Sequence, residues 1–245
     1  MKGRSSDAPD AATGTLVPVW KEILLDTDTP VSAFSRLRGS KALRTAEFAF
    51  LLESAPAGGD TWARYTFLGA EPPGAWRLAD GVVQDWTAER GWHGDRRPED
   101  PYADLRAIIT AFEPVAAPEL GAFWGGAVGY FSYDAVRYIE KLPHAPPKGV
   151  KAPDALFVFT GVVVIIDNLR AQARVVSAMR VPHGTSEAGV RELTAMAHAE
   201  IDAAIAKLRG GPASLFRCND VGHRSWSNSV VQRAPSVWHV ENSDR

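Results

Sequence analysis

Apolar and polar residues alternate over two neighbouring segments near the start of the chain. Apolar side chains occupy every second position from Phe48 to Leu52 and again from Ala63 to Phe67, with a Pro-, Gly- and Asp-containing stretch between them. Alternation with a period of two around such a break predicts a half-buried β-hairpin. Its first strand ends in Leu51-Leu-Glu-Ser54, where an acidic and a hydroxyl residue follow an apolar run.

The same pattern predicts further strands. Asp80-Gly81 is a favoured two-residue turn, and the apolar residues on both sides of it predict a second hairpin. The segment Leu156–Ile166 is apolar almost throughout, which is typical of a single strand buried on both faces. The predicted strands outside the first hairpin are Trp20–Leu25, Ala75–Ala79, Val82–Trp86, Leu156–Ile166 and Ala171–Met179.

Three segments combine helical periodicity with start or stop signals. Thr29-Pro30 provides an N-cap residue followed by proline at the first helical position, and Gly39 ends that helix. A second helix starts at Asp100-Pro101, carries its apolar face as far as Phe112 and ends before Pro114. The third is Ala-rich and extends from Ser186 to Leu208.

Three further segments have a less regular pattern. Residues 89–101 are mostly charged or glycine and are predicted to form a solvated loop. Tyr133–Tyr138 has helical spacing. The small residues Gly125, Gly126 and Gly129 precede it, and they predict a strand that another backbone approaches closely.

Composition and charge narrow the class of protein. The 245 residues are 45% hydrophobic and 23% charged, as in ordinary globular proteins, and their formal net charge is −2. The sequence has no stripe of basic residues that would indicate nucleic-acid binding. No apolar run is long enough to form a membrane-spanning helix. A single cysteine excludes an internal disulfide framework, so we take the cytoplasm as the default location. The predicted fold is α+β, with a mostly antiparallel sheet and packed helices.

The chain divides into three parts by composition. Residues 1–16 are small and polar and are predicted to be a disordered leader, whereas residues 17–208 carry the strand and helix patterns. Residues 209–245 contain no Lys, Ile, Met or Tyr but hold three of the four asparagines. Two interpretations of this last part stay open, a disordered tail and a stretch translated out of frame.

Candidate catalytic groups are sparse. The six histidines are scattered, and no two lie three to five residues apart, which disfavours a histidine-rich metal site. Ser54 has no nucleophile elbow around it, and the sequence cannot tell whether Glu53 and Asp134 form a carboxylate pair. The residues alone therefore predict a globular protein without a self-contained catalytic apparatus.

Two stretches resemble a known family. Phe50-Leu-Leu-Glu-Ser54 followed by Arg64-Tyr-Thr-Phe-Leu-Gly69 is similar to the N-terminal part of anthranilate synthase component I. Gly125-Gly-Ala-Val-Gly-Tyr-Phe-Ser-Tyr-Asp134 is similar to a motif that this family shares with aminodeoxychorismate synthase component I. The resemblance extends from about Val17 to Leu208.

This resemblance implies the remaining functional expectations. The family's N-terminal part is an α+β region rich in antiparallel strands, and it packs on a larger domain that uses chorismate and holds Mg²⁺. This chain lacks that domain. Its fold is therefore expected to be incomplete, and the chain is expected to hold no cofactor and to be catalytically inactive. In the family, chorismate and ammonia give anthranilate and pyruvate, and a glutamine amidotransferase subunit supplies the ammonia.

The resemblance also implies an effector site. In the family, tryptophan binds beside the Leu-Glu-Ser motif and inhibits, which carries over here to Leu52, Glu53 and Ser54. Glu53 suits the ammonium of tryptophan, Ser54 can form a hydrogen bond, and Leu52 can cover the indole. Arg64 is the candidate for the carboxylate. A polar strand end at a turn remains the alternative for Glu53 and Ser54.

Several alternatives remain open at the level of sequence. The chain resembles the same region of an aminodeoxychorismate synthase, and a free-standing module that senses tryptophan or docks on an amidotransferase is a third possibility. The effector site in the family also uses residues of the missing domain, so weak or no tryptophan binding is expected for this chain alone. Without that domain, apolar surface is expected to be exposed along Leu156–Ile166 and the helix from Ser186.

Overall fold

The computed structural model describes residues 12–25, 28–39, 48–53, 64–144 and 151–210. Within these ranges there are eleven strands and three α-helices, and short 3-10 helices cover Pro118–Leu120 and Tyr133–Tyr138. The strands are β1 Gly14–Leu24, β2 Ala49–Glu53, β3 Tyr65–Ala70, β4 Gly74–Ala79, β5 Val82–Thr87, β6 Gly91–Arg96, β7 Phe112–Pro114, β8 Ala127–Phe131, β9 Ala155–Phe159, β10 Val162–Asp167 and β11 Gln172–Pro182. The helices are α1 Pro30–Arg38, α2 Pro101–Thr110 and α3 Glu187–Arg209.

The described strands form two sheets. One has six strands in the order β2-β3-β10-β11-β1-β7, and the other has five in the order β6-β5-β4-β9-β8. Every pairing is antiparallel except that of β1 with β7. The α+β, mostly antiparallel prediction is therefore confirmed.

Three apolar clusters show how the layers stack. Helices α1 and α3 cover one face of the six-stranded sheet, where Leu37 and Ile201 meet Val164 and Val175. The opposite face packs on the five-stranded sheet through a second cluster that includes Trp86. The third cluster lies on the far face of the five-stranded sheet, where Leu105 of α2 is buried with three residues of β4 and β5: Trp76, Leu78 and Val83.

Capping explains where the helices begin. The Thr29 hydroxyl accepts a hydrogen bond from the Ser32 amide, and the Ser32 hydroxyl accepts one from the Thr29 amide. The Asp100 carboxylate accepts from the Tyr102 and Ala103 amides at the start of α2, and the Ser186 hydroxyl accepts from Gly189 at the start of α3. The helix starts predicted from the sequence are confirmed.

Both hairpins are confirmed as well. β2 pairs with β3, and β4 pairs with β5 across Asp80-Gly81, where both residues have positive φ (51° and 74°). The predicted close approach also occurs, since a Cβ on Gly129 would lie 2.0 Å from the Leu156 carbonyl oxygen of the adjacent strand β9.

Four local predictions are wrong or misplaced. Residues 89–101 are not all loop, because β6 pairs with β5 there and places Trp92 opposite Trp86. Phe112 is not helical but begins β7, so the helix ends earlier than its apolar pattern indicates. β1 begins at Gly14, inside the segment predicted to be a disordered leader.

The fourth wrong prediction is the single strand over Leu156–Ile166. Thr160-Gly161 interrupts it, and β9 belongs to the five-stranded sheet whereas β10 belongs to the six-stranded one. The run is apolar throughout because each half is packed within a different sheet, and Val163 and Val164 are fully buried.

The prediction that apolar surface is exposed along Leu156–Ile166 and α3 is wrong for most of these residues. β10 is almost wholly buried, and the apolar stripe of α3 packs on the sheet through Ile201, Ile205 and Leu208. The four most exposed large apolar side chains, Leu24, Tyr133, Ile139 and Leu169, lie elsewhere, although Met196 of α3 is also exposed. The predicted tail beyond residue 210 lies outside the described residues.

Candidate functional site

An open cavity of about 350 Å³ lies where the exposed edge of one sheet meets that of the other. β2 is one of the two edge strands of the six-stranded sheet, and β8 is one of the two edge strands of the five-stranded sheet. The cavity is bounded by Phe48–Leu52 on one side and Val128–Tyr130 on the other, and Lys151–Pro153 form part of its rim. Its size falls within the range of about 300–1,000 Å³ typical of small-molecule sites.

Strand alternation decides which side chains reach this cavity. Phe48, Phe50 and Leu52 share the face of β2 that packs in the inter-sheet cluster, whereas Leu51 packs in the cluster on the helix side. The predicted alternation over residues 48–52 is thereby confirmed. On the other sheet, Val128 and Val158 share the inner face and line the same cavity.

One cation is held inside the wall of the cavity. The Arg77 Nε donates to Gln84 Oε1 (2.7 Å), and the guanidinium carbon lies 4.1 Å from the centre of the Trp92 ring. Burial lowers the pKa of Arg77, and the nearby charge of Asp95 opposes that effect. Asp95 itself accepts a hydrogen bond from Gln84 Nε2 (2.6 Å).

An ion-pair network fixes the strand that carries Trp92. Arg96, at the end of β6, donates to Asp85 on β5 and to Asp104 on α2. The Trp76 indole also donates to Asp104 (2.7 Å). The hydrogen bond from Arg96 is the main reason that the pKa of Asp104 is lowered. Strand β6 is therefore tied to both β5 and α2, which holds the Trp92 ring at the cavity.

The predicted site residues on β2 lie on different faces. Leu52 lines the cavity, whereas Glu53 is exposed, and its backbone is paired with Thr66 on β3. Because successive strand residues point to opposite faces, the Glu53 side chain does not share the inner face with Leu52. Ser54 lies outside the described residues.

Arg64 lies at the start of β3 and is engaged by a carboxylate. Its Nε lies 3.1 Å from both carboxylate oxygens of Asp167, and its terminal nitrogen lies 2.6 Å from one of them. This fork-like contact and the amides of Leu169 and Arg170 lower the pKa of Asp167, with the Arg64 hydrogen bond as the largest cause. Arg64 therefore already neutralises a buried carboxylate at the β10–β11 turn.

Other sequence candidates can be placed as well. Asp134, considered as a partner for Glu53, forms an ion pair with Arg137 (3.0 Å) in the 3-10 helix after β8. In the parts of the chain that the structure describes, no three His, Cys, Asp or Glu residues cluster as a metal site would require. No helix in the described parts is long and apolar enough to cross a membrane.

Several curated proteins are similar in sequence to most of the chain. Anthranilate synthase component 1 of Aquifex aeolicus is 34% identical over 172 residues, which are 70% of this chain and 33% of that protein. The protein of the same name from Thermus thermophilus is 37% identical over 168 residues (67% and 33%). That from Acinetobacter calcoaceticus is 37% identical over 161 residues (63% and 30%). Over these residues the chain is similar to part of anthranilate synthase component 1 from each of these organisms.

The match to this family is limited in length. The chain spans about a third of the curated anthranilate synthase components that it matches. No family model matches the chain. A solved structure of anthranilate synthase component I from Streptococcus pneumoniae aligns with 77% of this chain and 37% of its own, at a TM-score of 0.48 and 21% identity.

Sequence reasoning missed most of the cavity. Arg77 and Trp92 come together only because β6 pairs with β5 and places its inner face beside β4. Because residues 89–101 are predicted to form a loop, the sequence does not place Trp92 on a strand. A tryptophan within a polar segment is the one sequence signal of that strand.

Proposed function

We propose that this chain is the N-terminal regulatory region of an anthranilate synthase component I. In this role it belongs to an enzyme that converts chorismate and ammonia, taken from glutamine, into anthranilate. The similarity of 161 to 172 residues of this chain to several proteins of that name carries the proposal. A glutamine amidotransferase subunit is the proposed partner.

The effector of this region is proposed to be L-tryptophan, bound at the end of β2. Leu52, Glu53, Ser54 and Arg64 are the residues assigned to it. Two features of the structure support this placement: Leu52 lines an apolar cavity, and Glu53 is exposed at the adjacent position. In this site the Arg64 guanidinium either contacts Asp167 and the tryptophan carboxylate together, or gives up its contact with Asp167 to bind the tryptophan carboxylate.

The proposed function is tested best in a chimera, because the chain spans about a third of its relatives. Residues 17–208 of this chain replace the matching part of the Thermus thermophilus protein. We expect the chimera to form anthranilate from chorismate and ammonia, followed by anthranilate fluorescence, and to be inhibited by tryptophan. A folded chimera that forms anthranilate but ignores tryptophan would contradict the regulatory role.

A pair of variants locates the effector within the chimera. Glu53→Gln removes the charge assigned to the ammonium, and we expect the tryptophan concentration for half-inhibition to rise about tenfold, as for the loss of one charged contact. Glu99→Gln changes an exposed glutamate in the connection before α2 and is expected to leave inhibition unchanged. Equal effects of both variants would contradict the assignment of Glu53.

The isolated chain is expected to show no anthranilate formation and weak or no tryptophan binding. Its described residues contain neither a metal-ligand cluster nor an acid in the cavity wall. Titration calorimetry with tryptophan checks the second point, and a micromolar dissociation constant for the chain alone would overturn it.

A further inference from the structure

Strand β8 forms one edge of the five-stranded sheet and has β9 as its neighbour on one side. Two hydrogen bonds at the ends of this strand pair show how its backbone is oriented. The Ser132 amide donates to the Asp154 carbonyl (2.7 Å), and the Thr160 amide donates to the Gly126 carbonyl (2.8 Å). The hydrogen-bonded pairs of this antiparallel ladder therefore fall on the even-numbered residues of β8.

The odd-numbered residues of β8 turn their backbone groups to the open edge. Because bonding direction alternates along an antiparallel strand, the amides and carbonyls of Ala127, Gly129 and Phe131 point away from β9. In the described parts of the chain, no other segment forms a backbone hydrogen bond with these groups. A row of such groups is a template for pairing with another strand.

β8 also lacks the features that protect an edge strand from pairing. Residues 121–131 contain no charged side chain and no proline. The other edge strands of the two described sheets are β2, β6 and β7, and each carries charge, through Glu53, Asp95 and Glu113 respectively. Among the described edges, β8 is therefore the most open to a partner strand.

The sequence of β8 is suited to pairing with itself. When two copies are placed antiparallel about Gly129, Gly129 lies opposite Gly129 and Ala127 lies opposite Phe131. The centre of the contact then carries no side chain, and each large ring lies beside a small residue of the other copy. Phe131 is 49% exposed, so it has apolar surface left to bury. No charge on either strand opposes the approach.

The size of this contact determines its strength. β8 contributes five residues, and Tyr133, which follows the strand, is 92% exposed and can add to the contact. A standard protein–protein interface has roughly 20–30 residues on each side. Association through β8 is therefore expected to be weak and to depend on protein concentration.

We propose that two copies of this chain associate through β8, edge to edge, into one continuous antiparallel sheet across a two-fold axis. The outward backbone groups of Ala127, Gly129 and Phe131 form the hydrogen bonds between the copies. This inference does not rest on the proposed regulatory function, because it uses neither the effector site nor the similarity to other proteins.

Hydrogen exchange of the full chain, read at single residues, tests the pairing. The experiment compares micromolar with near-millimolar protein. We expect the amides of Ala127, Gly129 and Phe131 to exchange at least about threefold more slowly at the higher concentration, because pairing protects them. The amides of Val128 and Tyr130 already face β9 and should change little. Equal exchange of the three outward amides at both concentrations would overturn the inference.

Sedimentation equilibrium with two matched variants locates the interface. Ala127→Lys places a charge at the open edge, and we expect it to weaken the dimer at least about tenfold. Leu169→Lys adds the same charge at a residue that is 79% exposed in the β10–β11 turn, and it should leave the dimer unchanged. A dimer that Ala127→Lys does not weaken, or that both variants weaken equally, would contradict the assignment to β8.

A second variant covers the case in which Ala127→Lys does not fold. Ala127→Pro removes an outward amide that takes no part in the β9 ladder, and it should weaken the dimer to a similar extent. If neither variant folds, the exchange pattern of the unmodified chain decides. Protection of the outward amides in a chain that sediments as a monomer would overturn self-pairing and show that another part of the chain covers the edge.

Failure of this inference can be told apart from failure of the proposed function. A chain that stays monomeric at every concentration overturns the pairing of β8. Tryptophan inhibition of the chimera is a separate measurement, and its result does not depend on the association of two copies.

Discussion

The two faces of the six-stranded sheet are packed in different ways. Toward the helices, Leu37, Ile201 and Leu208 close over Val164 and Val175, all buried. Toward the second sheet, packing is tight around Trp86 and Val176 but gives way to a cavity at the edge strand β2. The first face is mainly aliphatic, whereas the second combines aromatic rings with a partly buried cation.

This contrast separates stability from binding. Aliphatic side chains between helices and sheet fill space without polar atoms that need partners, which favours one rigid packing. At the other face, Arg77 and Trp92 keep polar and aromatic surface beside open space, which contributes less to folding and allows contact with a ligand. Substitutions on the two faces should therefore affect different measurements.

The largest effect is expected from Ile201→Ala on the helix-covered face. Ile201 has no solvent exposure and lies in the cluster between α3 and the sheet. Its truncation should lower the free energy of unfolding by about 3 kcal/mol, because the lost burial is joined by the cost of a cavity. Urea denaturation measures this change. Met196→Ala, on an exposed position of the same helix, is the control and should cost well under half as much.

A smaller effect is expected from Asp167→Asn at the polar end of the sheet. The carboxylate accepts from Arg64 and from two backbone amides, and its side chain is 10% exposed. Loss of its charge should cost about 2 kcal/mol at neutral pH, as for hydrogen bonds to a charged group. Glu22→Gln, whose ion pair with Arg174 is exposed, is the matched control and should change stability little.

The pH dependence of this difference follows from the lowered pKa of Asp167. The folded state holds the ionised carboxylate, so its stabilisation is fully present above the ordinary value of 3.8 and is lost as the pH falls through the lower, folded value. The gap between the parent chain and Asp167→Asn should therefore be constant near neutrality and close in acid. A gap that widens on acidification would contradict the role of the ion pair.

The smallest difference is expected between two neighbouring residues that face opposite ways. Both residues border the cavity, but Leu51 packs in the cluster on the helix side of β2, whereas Leu52 packs in the cluster between the sheets. Leu51→Ala should cost about 2 kcal/mol, and Leu52→Ala about 1 kcal/mol, because water can occupy space that already opens to solvent. Equal costs in urea denaturation would remove the distinction between the two faces.

Sequence alone was sufficient where the physical cause is local. Thr29, Asp100 and Ser186 mark helix starts because their side chains bond amides within three residues. Asp80-Gly81 marks a turn because both residues adopt positive φ. The alternation of Phe48, Phe50 and Leu52 determined which of them share a face, and short motifs were sufficient to indicate the named proteins to which the chain is similar.

Tertiary structure decided what depends on distant pairing. The apolar sequence of residues 156–166 does not show that its two halves belong to different sheets. The halves are separated because β9 pairs with β4 and β8, whereas β10 pairs with β3 and β11. The polar segment around Trp92 becomes a strand because β5 offers an edge and Arg96 binds Asp85 and Asp104.

The first hairpin unites both kinds of information. Its sequence determined that residues 48–52 form a half-buried strand with a polar end. The packing of the second sheet decided that Leu52 reaches a cavity and that Glu53 does not, because the opposing wall is built from Arg77, Trp92 and Tyr130, residues 24 or more positions away along the chain. Period-two geometry gives each residue a face, but only a neighbouring surface determines whether that face is closed core or a binding site.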